Sequence, residues 1–178
     1  MHPSRILIGP MRRQTLVAAL IPLVAVLGQA RAATRPNTET RATSKSVLIR
    51  DIPHVRQKPD FCGEACVAAW LNKLGLPIDQ DTVFDRSGLD PSLGRGCYTK
   101  ELATAMKNLG FATGKVWYSV KAKDAPKQLD ALWQQVRADL DAGQPSVVCT
   151  RFNARPNTTE HFRLVVGYDA RTDEIVYH

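Results

Sequence analysis

"QKPDFCGEACVAAWLNKLG", Gln57–Gly75, decides how the rest of this chain is read. Beyond Cys62 the apolar residues fall at Val67, Trp70, Leu71 and Leu74, the i, i+3, i+4, i+7 face of an amphipathic helix. Asp60 is the expected N-cap and Gly75 the expected stop. Cys62 then stands in the first turn, where unpaired backbone N–H groups and the positive end of the helix dipole favour an anion. A thiol so placed is biased toward the thiolate, its nucleophilic form. Gly63 follows it, and is expected to let another backbone approach without meeting a Cβ. Gln57 lies five residues upstream, and Cys66 lies one helical turn on, on the same side. A cysteine standing alone is more often a disulfide half or a small buried group, so Cys62 needs partners before it means chemistry.

Upstream, residues 1–32 carry Arg5, Arg12 and Arg13, then an apolar run from about Leu16 to Leu27, then "ARA" at Ala30–Ala32. That is the layout of a secretory signal peptide, and the run is short for a membrane span. The whole 178-residue chain has 24 Lys and Arg against 17 Asp and Glu, a formal charge of +7. The first 32 residues hold four Arg and no acid, so the remainder keeps 20 basic residues against 17 acidic, a charge of +3. Basicity is thus largely a targeting feature. No basic cluster is interleaved with aromatics, which argues against nucleic acid as a partner. Residues 33–46, "ATRPNTETRATSKS", are polar and aperiodic and are expected to form a disordered linker. Residues 47–178 form the expected domain, exported to a periplasmic or extracellular location, with no stable membrane span once the signal is cleaved.

Export makes oxidation possible, so Cys62, Cys66, Cys97 and Cys149 allow two disulfides in three connectivities. If one of them is a working thiol, at most one bridge and one buried thiol remain. Cys-x3-Cys followed by gaps of 30 and 51 residues is no usual zinc spacing, and no cofactor is implied.

Downstream, "SVLIRDIPHV" (Ser46–Val55) reads as an extended entry strand stopped by Pro53, and a short helix is expected at Asp81–Ser87. Thr99 is expected to cap a third helix carrying Leu102, Met106 and Leu109 inward. A fourth spans about Lys127 to Ala142, with Leu129, Leu132, Val136 and Leu140 periodic. The period then changes to that of strands in "PSVVCTRF", "HFRLVVGYD" and "DEIVYH", with a hairpin turn at "YDARTDE". Helices first and antiparallel strands last make the class α+β.

Thiolate chemistry needs a base, and His161 opens the long late strand. A helix-mouth cysteine facing a strand-borne histidine is the nucleophile–base pair of acyl transfer. Donors for the developing oxyanion are available in the Cys62 N–H and the Gln57 carboxamide.

With these residues the chain, over Ile52–His178, resembles the bacteriocin-processing (double-glycine leader) cysteine peptidase-like family of the papain-like superfamily. "Q….FCGEAC" and "HFRLVVGYD…DEIVYH" carry the resemblance. It implies an N-terminal helical half packed on a C-terminal antiparallel sheet, with the active cleft between them. It also implies Cys62 as nucleophile, His161 as general base and Gln57 as oxyanion donor. Glu64 departs from the family pattern and is expected to place a negative charge near the thiolate. The family's third catalytic residue is an acid, usually Asp, just after the last strand.

With the turn centred on Ala170–Thr172, facing residues sum to about 341 or 342, so His161 faces a position near 180 and Arg163 faces 178 or 179. The orienting acid is therefore expected just beyond His178, as in a truncated record. Asp169 and Asp173 sit at the turn, too far along the hairpin to replace it. His54 reads as a loop or packing histidine, Trp70 and Trp133 as core, Trp117 as a possible cleft residue, and "RGCYTKE" as a turn into a helix. The expected function is an exported cysteine hydrolase, a peptidase acting as a monomer on peptide or protein substrates through a thioester. Its rivals are a catalytically inactive papain-like peptide-binding module and a disulfide-stapled interaction domain.

Overall fold

A computed structural model describes residues 12–13 and 45–178. Apart from Arg12–Arg13, the signal-peptide segment lies outside the described residues, as does most of the linker. Arg12–Arg13 (β1) pairs antiparallel with Phe111–Ala112 (β3). Val47–Leu48 (β2) is followed by irregular chain and three helices, α1 (Cys62–Lys73), α2 (Gln80–Ser87) and α3 (Thr99–Asn108). After β3 come α4 (Ala125–Asp141), β4 (Ser146–Arg151), β5 (Glu160–Asp169) and β6 (Glu174–Tyr177). The expected α+β order holds. Only two residues of the Ser46–Val55 stretch enter the sheet, because Asp51 turns the chain with φ +58°.

β5 organises the sheet. β4 pairs with its first half, from Arg151 opposite Glu160 to Ser146 opposite Val165. β2 pairs with Gly167 and Tyr168, and β6 takes the other edge. Every pairing is antiparallel. The side chains of β5 alternate as a strand requires. Phe162, Leu164 and Val166 enter the core under α1 to α3, together with Cys149, Val67, Trp70, Leu71, Leu102 and Met106. Val165 and, past the irregularity at Val165/Gly167, Tyr168 pack with Val148 against Leu132, Val136 and Leu140 of α4. The sheet thus has α1–α3 on one face and α4 on the other. Trp70 is core, and Trp133 meets Tyr168 edge to face at 5.1 Å. No helix among the described residues is long and apolar enough to cross a membrane.

Several expected boundaries move for local reasons. α2 starts one residue earlier, at Gln80, because Asp79 caps it by accepting from the Thr82 N–H at 2.8 Å. Thr99 is the first residue of α3 rather than its cap. Tyr98 takes the cap position, and its N–H donates to the Glu101 carboxylate at 2.6 Å. α4 begins at Ala125 with Pro126 in its first turn, where a missing N–H costs nothing. Leu129, expected in the same stripe as Leu132, Val136 and Leu140, is 40% exposed in the first half of α4. Leu74 is 45% exposed at the C-cap of α1, where the periodic stripe runs off the core.

Candidate active site

The mouth of α1 is built from long-range contacts rather than by a side-chain cap. Asp60 is not the N-cap: it adopts φ +62°, and Phe61 takes the cap position with no side-chain hydrogen bond. Cys62 is therefore the first helical residue. The Asp60 carbonyl is held against Gly96, where an added Cβ would lie 2.0 Å from the Asp60 oxygen. Gly96 is glycine because two backbones meet there. Gly63 has a different reason from the one expected. A Cβ on it would stand 3.1 Å from both Leu102 and Phe162, so its smallness seats the helix on β5 and α3.

The Glu64 carboxylate reaches the 95–98 loop. It is fully buried, with Oε1 accepting from the Cys97 N–H at 2.6 Å and Oε2 without a hydrogen-bond partner among the described residues. Burial pushes its carboxyl above the usual 4.5, against the lowering effect of the Cys97 hydrogen bond. Its role is to tie α1 to the 95–98 loop. That loop is stiffened from outside. Arg95 makes two bonds to the Glu101 carboxylate, at 2.7 and 2.9 Å, and lies over the Tyr98 ring at 4.0 Å.

Between the 95–98 loop and the start of β5 runs a cleft of about 830 Å³. Gln57, Cys62 and His161, distant in sequence, all line it, with Tyr98, Trp117 and Phe152 as aromatic walls. The Phe162 N–H donates to Cys62 Sγ at 3.4 Å, so the sulfur lies against the residue that follows His161. The imidazole is half-buried and meets the Phe152 ring edge to face at 5.3 Å. Burial first, and the nearby charge of Arg163 second, lower His161 below its ordinary 6.5. A neutral imidazole is the form that accepts a proton.

Arg163 faces the protein rather than open solvent. It donates to Thr150 Oγ1 and to the carbonyls of Arg151, at 3.2 Å, and Phe152, at 2.8 Å. In this way it holds the chain that carries the aromatic wall. Gln57 is exposed in the cleft, and its backbone is held by a residue that sequence reading passed over. Gln80, 8% exposed, accepts from the Lys58 N–H at 2.9 Å and donates to the Arg56 carbonyl at 3.0 Å. The only local hint was a glutamine at the start of a helix capped by Asp79.

All four cysteines are free thiols, so neither expected disulfide pattern is present. Cys66, Cys97 and Cys149 are buried, and burial pushes their thiols up to about 12, 12 and 11. Cys62 is partly open to solvent. Cys149 also borders the cleft, with its Sγ 3.9 Å from a Glu160 carboxylate oxygen.

No carboxylate hydrogen-bonds the His161 imidazole among the described residues. Asp169 binds Ser46 and Arg171, and Asp173 accepts from the Tyr168 hydroxyl at 2.6 Å. The β5–β6 pairs sum to 343 near the turn and to 342 beyond the irregularity at Val165/Gly167, where Leu164 bonds His178. The expected sum of 341 or 342 is thus met beyond the irregularity and exceeded by one near the turn.

No curated protein and no solved structure gives a significant match to the chain. The model of the Peptidase_C39 like family matches residues 49–178, the stretch that contains every residue of the cleft. That match covers well over half of the chain, and its function class is cysteine peptidase-like, with peptide or protein substrates. The protein belongs to the Peptidase_C39 like family.

Proposed function

We propose that the protein is an exported cysteine peptidase that works through a thioester at Cys62. The observation that carries the proposal is the seating of Cys62 Sγ against the first residues of β5, 3.4 Å from the Phe162 nitrogen, in the cleft that also holds His161 and Gln57. The signal-like layout of residues 1–32 supports export. An exported protein has no evident occasion to trim leader peptides in the cytoplasm, so that specificity is not proposed.

The chemistry follows from the groups present. Neutral His161 takes the Cys62 proton as the sulfur attacks the scissile carbonyl carbon, forming the C–S bond. Negative charge gathers on the carbonyl oxygen, where the Cys62 N–H at the uncapped helix mouth and the Gln57 carboxamide donate to it. Collapse breaks the C–N bond, and the proton on His161 leaves with the amine. His161 then removes a proton from water as it attacks the thioester, releasing the acid and restoring the thiol.

p-Nitrophenyl acetate tests this without knowledge of the natural substrate. Acetyl transfer forms an S–C bond, breaks the ester C–O bond and releases p-nitrophenolate, while the thiol proton passes to His161. The expected result is a burst of p-nitrophenolate and an acetyl adduct mapped to Cys62. A peptide-binding module with an inert thiol would give neither.

A further inference from the structure

We infer that Gln80 is the positioning residue of the oxyanion site, its side chain fixing the backbone on both sides of Gln57. The inference rests on the role proposed for Gln57 above. Gln57 lies in a segment with no regular secondary structure, between β2 and α1. A donor on such a segment would ordinarily wander, and wandering costs rate. A misplacement of about 1 Å can lower a rate by roughly 10²-fold. Something must hold it.

Gln80 is placed to do so. Its Nε2 donates to the Arg56 carbonyl at 3.0 Å, and its Oε1 accepts from the Lys58 N–H at 2.9 Å. The Arg56 carbonyl belongs to the peptide plane before the Gln57 Cα, and the Lys58 N–H belongs to the plane after it. Those two planes define φ and ψ of Gln57, so one carboxamide fixes both dihedrals. The arrangement copies the paired hydrogen bonds of a sheet partner, supplied by a side chain instead of a strand.

Gln80 is itself held. It is 8% exposed and opens α2, whose N-terminus is capped by Asp79 and whose body packs on α1 and α3. The neighbouring Lys58–Asp81 ion pair is on the surface and adds little, since exposed pairs contribute only about 0–1 kcal/mol. A buried carboxamide with both ends used is also intolerant of change. Glutamate at this position would keep the acceptor for Lys58 and lose the donor to Arg56.

The test is a double-mutant cycle on the full chain, read in two assays. Acetylation of Cys62 by p-nitrophenyl acetate passes through an oxyanion; alkylation of Cys62 by iodoacetamide does not. Gln57→Ala is expected to slow acetylation by about 10²-fold, the usual loss for one oxyanion donor. Gln80→Ala is expected to slow it by about tenfold or more, and Gln80→Glu by less, while alkylation keeps its wild-type rate in both. In the Gln57→Ala background Gln80→Ala should cost nothing further, because residues that act through one another are non-additive. Equal cost in both backgrounds would overturn the assignment, as would parallel loss of alkylation and acetylation in the milder Gln80→Glu variant. A wild-type protein that is never acetylated at Cys62 would overturn the proposed chemistry itself. Normal wild-type acetylation with an unimpaired Gln80→Ala would overturn only the role of Gln80.

Discussion

Cys62 Sγ lies 3.4 Å from the backbone nitrogen of Phe162, and this single contact joins the first residue of α1 to the strand that carries His161. A hundred residues separate the two in sequence. The approach depends on Gly63, whose missing Cβ lets the helix sit on Phe162 and Leu102. Cys62 and His161, which we propose as nucleophile and base, are thereby placed by packing rather than by any bond between them.

The acid limb of the pH–rate profile should reflect this environment. Burial and the Arg163 charge both disfavour protonated His161, so the limb for Cys62 acetylation should lie below the ordinary 6.5. Arg163→Met should move it upward, though not fully, because burial is the larger cause; Arg163→Lys should leave it near its wild-type position. A limb that moves downward in Arg163→Met would contradict the sign. The same lowering makes His161 contribute to stability above about 6.5, with that contribution lost as pH falls through the lowered value.

Glu64 gives a stability signature of the opposite kind. Its folded carboxyl is raised above 4.5, so its contribution is fully present below that pH and is lost as pH rises through the raised value. Glu64→Gln keeps an acceptor for the Cys97 N–H without a buried charge. Thermal melts from pH 4 to pH 8 should show the wild type losing stability relative to Glu64→Gln as pH increases. A constant difference between the two curves would show that Glu64 does not titrate in this range.

Gly96→Ala should be among the costlier single-atom additions in the chain. The new Cβ would meet the Asp60 oxygen at 2.0 Å and its carbonyl carbon at 2.9 Å, both backbone atoms with little freedom to retreat. Overpacking of this sort costs about 1–3 kcal/mol, and here the strain falls two residues before Cys62. Denaturant melts should register the loss, and Cys62 alkylation should slow with it. A fully stable, normally reactive Gly96→Ala would mean that the 95–98 loop does not brace the helix mouth.

Much of this was legible in the sequence because it repeats or alternates. Val67, Trp70 and Leu71 announced α1, and the β5–β6 turn fixed the strand register to within one place of what is found. The offset of one arises at the turn, whose pairs sum to 343, and the irregularity at Val165/Gly167 brings the sum back to 342 beyond it. What escaped is non-periodic and long-range. Asp60 looks like a cap, yet the backbone beneath Gly96 draws it into a left-handed turn. Glu64 reads as a negative charge near the sulfur, and nothing local announces that it is fully buried and bound to the Cys97 N–H 33 residues away. Gln80 makes two bonds to residues 22 and 24 positions upstream, and no local pattern encodes that. Gln57, Cys62 and His161, singled out by their chemistry and by the family resemblance, line one cleft.

The most direct measurement is the rate at which iodoacetamide alkylates each cysteine of the native protein near neutral pH, in wild type and in His161→Ala. Cys62 should react first and selectively, since Cys66, Cys97 and Cys149 are buried with thiols at about 12, 12 and 11. Its rate should fall by about tenfold or more when the imidazole is removed. Equal labelling of Cys62 in wild type and His161→Ala, or preferential labelling of a buried cysteine, would contradict the pairing of sulfur and imidazole.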